Sequence, residues 1–265
     1  MSAQAHTSDP HVLDRRTLAR DHRRLAGLLR PGMTVLDVGC GTGAITADVA
    51  RAVGPSGAVV GLDRDPDLLR RARERHADVP GLRFEDGDVL ALPGNAAFDI
   101  VTAARVLQWI EDPARPLACM VRATRPGGVV VALEYSHADL VWEPEPPVAV
   151  RRFYDAFLAW RAANGWDNRL AHRLPALFAG ARLADVEASV EDEVAARGEA
   201  GFDDALAIWR SVMRDTGPLI VATGALAAAD LAAALTEYGA WCPGDARLQR
   251  MVLRAVAGRR PGGTE

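Results

Sequence analysis

Val35-Leu36-Asp37-Val38 reads as a short buried strand, and it runs straight into Gly39-Cys40-Gly41-Thr42-Gly43 before a helical pattern opens at Ala44. This stretch constrains the fold more tightly than anything else in the chain. Glycine has no Cβ, so a strand that stops in alternate glycines can turn sharply and bring bare backbone against a ligand at the next helix N-terminus. In open α/β sheets, such a crevice at the carboxyl end of a strand is where nucleotides bind. The expected fold class is therefore α/β.

Three details narrow the ligand. A phosphate-binding loop carries Lys after its last glycine, yet all 31 basic residues here are Arg. The absence of Lys also removes Lys Schiff bases and Lys nucleophiles. A dinucleotide fingerprint reads G-x-G-x-x-G, whereas Gly39, Gly41 and Gly43 give G-x-G-x-G. Asp37, two residues before the first glycine, opposes a diphosphate and suits a ligand with a cationic end.

The run resembles motif I of class I S-adenosylmethionine (SAM)-dependent methyltransferases, and further segments match that family in order. Val59-Val60-Gly61-Leu62-Asp63 resembles the second strand with its acidic end. Asp86-Gly87-Asp88-Val89-Leu90-Ala91-Leu92-Pro93 resembles the loop that meets adenine, and Phe98-Asp99-Ile100-Val101-Thr102-Ala103 the fourth strand. Leu107 to Pro113 resembles the stretch after it, and Arg125-Pro126-Gly127-Gly128 with Val129 to Leu133 the turn into the fifth strand.

The resemblance implies a doubly wound, seven-stranded, mostly parallel Rossmann-like sheet with a helical lid insertion. It implies an enzyme that uses SAM and releases S-adenosylhomocysteine. It also assigns cofactor-binding roles: Gly39, Gly41, Thr42 and Gly43 along the methionine and ribose, and Asp37 near the cationic amino end. Asp63 would accept both ribose hydroxyls, with Arg64 covering the adenine edge. Asp88 and the Val89 N–H would meet adenine, with Arg105 and Gln108 at the methionine end.

The expected organisation is an N-terminal helical cap over 1–30, loose to residue 10 and then one helix from Leu13 to Leu29. The SAM-binding core follows over 31–140, a helical lid over 141–180, and the C-terminal strands over 181–260 with a helical insertion at about 202–240. The fifth strand is expected to end at Glu134, and the prolines at 144, 146 and 147 argue against regular structure from Trp142 onward. Helices are expected over Val148 to Ala163, Leu170 to Ala179, Asp203 to Arg214 and Ala225 to Tyr238, with Gly239 as a C-cap. Leu183 to Val194 and Leu248 to Ala257 read as strands.

With 49% hydrophobic residues the chain can build a large core, and a net charge of −4 offers no broad phosphate-binding surface, so nucleic acid is not an expected partner. Cys40, Cys119 and Cys242 are scattered, which points to reduced thiols and no metal cluster. A polar beginning without a signal peptide and the lack of a long apolar run lead to the expectation of a cytoplasmic protein away from membranes, monomeric or homodimeric.

Methyl transfer from a sulfonium is an in-line displacement in which the cofactor carries the reactivity. A general base, where one is needed, must reach the acceptor proton. His137, three residues past the fifth strand, is the first candidate and His172 the second; Glu134, Tyr135 and Asp139, and His11 and His22 beside the N-terminal helix, are further candidates. Twelve of the 15 aromatic residues lie between Tyr135 and Trp241, which suits an apolar or aromatic small molecule. Tyr135, His137, Trp142, Tyr154 and Trp166 are the substrate-binding candidates, the last three because the sequence gives them no evident packing duty. The expected function is methyl transfer to O, N or C of such a molecule, with secondary metabolism as a setting. The alternatives are non-methyl chemistry on the same fold, such as cyclisation, or a non-catalytic cofactor-binding partner protein.

Overall fold

Alternate residues of strand β1 (Thr34–Val38) point to opposite faces, and both faces are covered. Val35 joins one buried cluster with Val59, Ile100, Val131 and Ala257, while Leu36 and Val38 join another with Val60, Leu62, Val101 and Val130. Burial on both faces is why these strands read as continuous apolar runs. The computed structural model describes residues 10–92 and 94–262, so the expected loose segment before Pro10, and Pro93, lie outside the described residues. The chain divides into two compact units.

Unit 1 comprises Met1–Glu134, Leu170–Glu191 and Leu253–Glu265. After β1 come β2 (Ala58–Asp63), β3 (Leu82–Asp86), β4 (Phe98–Ala104), β5 (Thr124–Glu143), β6 (Ala184–Val190), β7 (Glu193–Ala196) and β8 (Leu248–Arg259). Leaving β7 aside, the order is β3-β2-β1-β4-β5-β8-β6. The neighbours among β1 to β5 pair in parallel, and β6 runs antiparallel to β8. The start of β5 meets the end of β8, with Gly127 N–H on the Arg260 carbonyl at 2.8 Å. The mostly parallel α/β sheet is as the sequence led us to expect, but it has eight strands among the described residues rather than seven, because β7, which lies in unit 2, pairs antiparallel with the start of β8.

The N-terminal helix expected over Leu13–Leu29 is instead three short ones, α1 (Pro10–Asp14), α2 (Leu18–Asp21) and α3 (Arg23–Leu28). Thr17 caps α2, its side chain accepting from the Arg20 N–H, and His22 leaves helical geometry at φ −155°, ψ 60°. Helices α4 (Ala44–Val53), α5 (Pro66–Arg75) and α6 (Ala114–Ala123) connect the parallel strands. The Arg260 guanidinium closes α6 by donating to the carbonyls of Val121, Arg122 and Thr124.

Unit 2 comprises Tyr135–Arg169 and Asp192–Val252. It contains α7 (Val148–Ala163), whereas α8 (Leu170–Gly180) belongs to unit 1. The boundary expected at 180 therefore moves to 169, because Leu170, Leu174 and Phe178, spaced four apart, pack into the unit 1 core with Leu183 and Val256. Strand β5 also does not stop at Glu134. It continues to Glu143, whose carbonyl accepts from Arg247 N–H at 2.6 Å, and only the residues from Pro144 to Pro147 are irregular.

Two helices in unit 2 outrun their expected ends. Helix α9 (Phe202–Ala222) continues because Met213, Thr216, Gly217 and Ile220 extend its buried stripe. A Cβ on Gly217 would stand 2.5 Å from Leu231 Cδ1, so glycine lets α9 and α10 (Ala228–Gly244) approach closely. Gly239 is not a C-cap: α10 runs through it, keeping Tyr238, Trp241 and Cys242 buried. The Arg197 guanidinium instead serves that terminus, donating to the carbonyls of Cys242, Pro243 and Ala246.

The centre of unit 2 is Trp209, whose ring lies 5.0 Å from Tyr154, 5.5 Å from Phe157 and 5.7 Å from Trp142, edge to face in each case. Trp209→Ala is expected to cost about 3–5 kcal/mol, read as a drop in the urea midpoint followed by far-ultraviolet circular dichroism.

Candidate functional site

The glycine turn is held from below by a carboxylate. Gly39, Gly41 and Gly43 have φ of 71°, 56° and 74°, a region that L side chains avoid. Asp63, at the end of β2, accepts from Gly41 N–H at 2.8 Å through one oxygen and from Asp65 N–H at 3.0 Å through the other. Asp65 then caps α5, accepting from Asp67 and Leu68 N–H. One side chain thus ties the turn after β1 to the helix after β2. Each carboxylate oxygen has a second acceptor site left, so Asp63 can serve a ligand only while it also serves this backbone.

The glycines owe their identity to protein neighbours as well. A Cβ on Gly39 would lie 2.4 Å from Val106 Cγ2, and one on Gly43 would lie 2.5 Å from Phe84 Cζ. Over Gly41 the nearest atom is Leu13 Cδ1, at 3.1 Å from the position of a Cβ. The N-terminal segment therefore covers this turn, and Asp14 fastens it with ion pairs to Arg71 and Arg75.

Asp37 is buried, and its carboxylate accepts from Thr46 Oγ1 at 2.6 Å; no cationic side chain among the described residues pairs with it. Burial pushes its carboxyl up to about 7, against the Thr46 bond and with help from Asp63. A buried carboxylate without a cation beside a glycine turn is a fit for a ligand that brings positive charge. Its register partner Thr102 carries a second buried polar contact, Oγ1 to His22 Nε2 at 3.1 Å. Burial and then the Arg105 charge pull His22 down to about 3, so its imidazole is neutral.

At the end of β3, Asp88 is exposed and accepts from Leu90 N–H at 2.8 Å, capping the short turn that starts at Val89. Past β4, Arg105 has φ 63° and donates to the Asp21 carbonyl, while Gln108 Nε2 donates to the Arg105 carbonyl. Glu134 is fully buried and accepts from the N–H groups of Val106, Leu107 and Gln108. Burial raises its carboxyl to about 8, opposed by those three donors and by Arg105. With its oxygens on backbone donors, Glu134 is a turn-holding group rather than a base. Arg64 is exposed, and Thr42 is buried in the glycine turn.

All five substrate candidates lie in unit 2, and four of them are linked by ring contacts and hydrogen bonds. The Tyr135 hydroxyl donates to Glu193 at 3.2 Å, and its ring lies 5.4 Å from that of His137. His137 is buried edge-on to Phe157 and Trp209, and its carbonyl accepts from the Tyr154 hydroxyl. Trp142 donates to Gln249 Oε1 at 2.8 Å and stands edge to face with Tyr154 at 5.2 Å. Trp166 packs instead on Trp160 at 5.2 Å and under the Arg161 guanidinium. All three residues that the sequence left without a packing duty are therefore buried in the unit 2 core. His172 does not join them: it is exposed on α8 of unit 1.

Thr46, Thr102, His22 and Glu134 are the residues whose placement sequence reasoning missed. Only Thr102 and Glu134 left a trace, as polar residues inside or ending apolar strands. No group of three or more His, Cys, Asp or Glu among the described residues could hold a metal ion, and no described helix is long and apolar enough to cross a membrane.

A family model described as a methyltransferase domain matches residues 29–165. An uncharacterised 37.1 kDa protein in transposon TN4556 of Streptomyces fradiae is 38% identical over 153 residues, covering 57% of this chain and 44% of that protein. Demethylmenaquinone methyltransferase of Staphylococcus aureus is 38% identical over 113 residues, covering 42% of this chain and 47% of that enzyme. The chain thus spans less than half the length of these curated relatives. Phosphoethanolamine N-methyltransferase 2 of Haemonchus contortus, solved with S-adenosylhomocysteine, gives a TM-score of 0.57 at 17% identity over 92% of this chain and 52% of that one. The YcgJ protein of Bacillus subtilis gives 0.57 at 18% identity over 91% and 100%. The cyclase SpnF gives 0.54 at 21% identity over 94% and 84%. At these identities the likeness is one of fold.

The raised Asp37 carboxyl makes a prediction of its own. Its folded-state pKa of about 7 lies above the ordinary 3.8, so its contribution to stability is fully present below about pH 4 and is lost as pH rises through 7. Asp37→Asn is expected to be more stable than the wild type at pH 8, on the order of 2 kcal/mol, with the difference vanishing near pH 4. Urea melts of the unliganded protein at the two pH values check it.

Proposed function

The chain belongs to the class I methyltransferase-domain family, and on that premise we propose that unit 1 binds SAM across the glycine turn for methyl transfer to O, N or C of an apolar or aromatic small molecule. The observation that carries this reading is Asp37, a buried carboxylate with no protein cation, beside a glycine turn that Asp63 ties down. SAM supplies a methyl group on a sulfonium and an amino acid end that is also cationic.

In this reading Asp37 faces the amino end and ionises when the ligand charge arrives. Gly39, Gly41, Thr42 and Gly43 line the methionine and ribose, and Asp63 adds the ribose hydroxyls to the backbone donors it already serves. Asp88 takes the adenine amino group with its free oxygen. The Val89 N–H, which the first position of a short helical turn leaves without an internal partner, donates to the ring. Arg64 covers the adenine edge, and Arg105 and Gln108 close the methionine end. In unit 2, His137 and Tyr135 are the groups offered to an acceptor, with His137 taking its proton where it has one to lose. Trp142, Tyr154 and Trp166 shape that unit by packing, so their part in substrate choice is indirect.

Calorimetry with S-adenosylhomocysteine tests the cofactor reading: the wild type binds, and Asp63→Ala weakens binding by about ten-fold or more. Absence of binding by the wild type sinks it. Product mass from a panel of phenols and amines separates methyl transfer, which adds one methylene, from cyclisation, which leaves the mass unchanged. With an accepted substrate, His137→Gln is expected to lower kcat by about 100-fold while leaving S-adenosylhomocysteine affinity unchanged.

A further inference from the structure

We propose that Glu134 is a positioning residue of the cofactor site, holding Val106 against Gly39 and Arg105 in its left-handed turn. The proposal rests on the reading of the glycine turn as a SAM site. Arg105 stands at φ 63°, a conformation that a non-glycine residue keeps only where its surroundings over-determine it. The surroundings are on the page. Arg105 N–H donates to the Leu133 carbonyl at 2.7 Å, and the Arg105 carbonyl accepts from Gln108 Nε2 at 3.2 Å.

The next three N–H groups all end on one carboxylate. Val106 and Leu107 donate to Glu134 Oε1 at 3.0 and 2.7 Å, and Gln108 reaches Oε2 at 3.4 Å. These N–H groups belong to the start of a single short turn, Leu107–Trp109, which has no internal acceptor for them. Without Glu134, three buried donors would lose their partner at once.

The consequence travels through Val106. Its Cγ2 lies 2.4 Å from where a Cβ of Gly39 would be, so the Val106 side chain roofs the first glycine of the turn. A shift of Val106 gives Gly39 room to leave φ 71°. The carboxylate thereby sets the shape of a turn 95 residues earlier in the chain (134 − 39) without touching a ligand.

Two variants and two readouts test this. In Glu134→Ala, S-adenosylhomocysteine affinity by calorimetry is expected to fall about ten-fold. Val106→Ala, which leaves the carboxylate in place, is expected to weaken it about three-fold. Native-state hydrogen exchange without ligand is expected to quicken at 39–43 as well as at 105–109 in both variants, while the core strands keep their protection. The proposal is overturned if folded Glu134→Ala binds within about two-fold of the wild type, or if exchange at 39–43 is unchanged. Should Glu134→Ala not fold, the same two outcomes in Val106→Ala decide. A wild type that binds no S-adenosylhomocysteine refutes the SAM reading instead, and the exchange at 39–43 still decides the link from Glu134 to the glycine turn.

Discussion

Every parallel strand that ends in a turn leaves backbone N–H groups with no ladder partner, and unit 1 meets this constraint with carboxylates. Asp63 takes Gly41 and Asp65, Asp65 takes Asp67 and Leu68, Asp88 takes Leu90, and Glu134 takes the three residues after Arg105. Asp63 stands at the carboxyl end of β2 and Asp88 just past β3, the edge where open α/β sheets hold ligands, while Glu134 lies within β5. The residues that finish the backbone bonding of the fold are thus, in part, the same residues that prepare a site. Asp37 differs from these groups: it finishes no backbone turn, and its carboxylate accepts from Thr46 Oγ1.

Unit 2 is built on a different principle. Its core is a set of aromatic rings around Trp209, most of them edge to face, with polar tips sent to specific acceptors: Trp142 to Gln249, Tyr154 to the His137 carbonyl, Tyr238 to the Leu206 carbonyl. Those three tips are satisfied, whereas the indole N–H groups of Trp209 and Trp241 are buried without a hydrogen-bond partner among the described residues. The aromatic excess of this half of the chain is therefore first of all a packing device. His137 and Tyr135 keep a chemical interest because they are the positions at which β5, having capped the Arg105 turn through Glu134, passes into unit 2.

The sheet and the glycine turn were legible because their signals are local. The glycine spacing, the apolar runs and the acidic strand ends each lie within a few residues of one another, and strand order follows from the family resemblance. What escaped was long-range or competitive. Thr46 bonds Asp37 across 9 residues, and His22 bonds Thr102 across 80, separations that no periodicity reveals. The Arg and Leu alternation from Leu13 to Leu29 suits one helix, but burying His22 breaks it. The prolines after Glu143 marked a real interruption, yet ladder partners carried β5 nine residues beyond its expected stop at Glu134. Gly239 looked like a stop signal and was overruled by the buried stripe of Tyr238, Trp241 and Cys242.

The guanidinium caps on α6 and α10 have a consequence for how the molecule answers to its solvent. Arg197 holds three carbonyls through Nε, Nη1 and Nη2, a task for which the planar fork is shaped and a Lys ammonium is not, and Arg260 reaches three through Nη1. The acceptors are neutral backbone carbonyls, so these caps are not ion pairs and added salt has little charge–charge attraction in them to screen. Salt therefore weakens exposed ion pairs, such as that of Arg70 with Asp67, before it reaches the two guanidinium clamps.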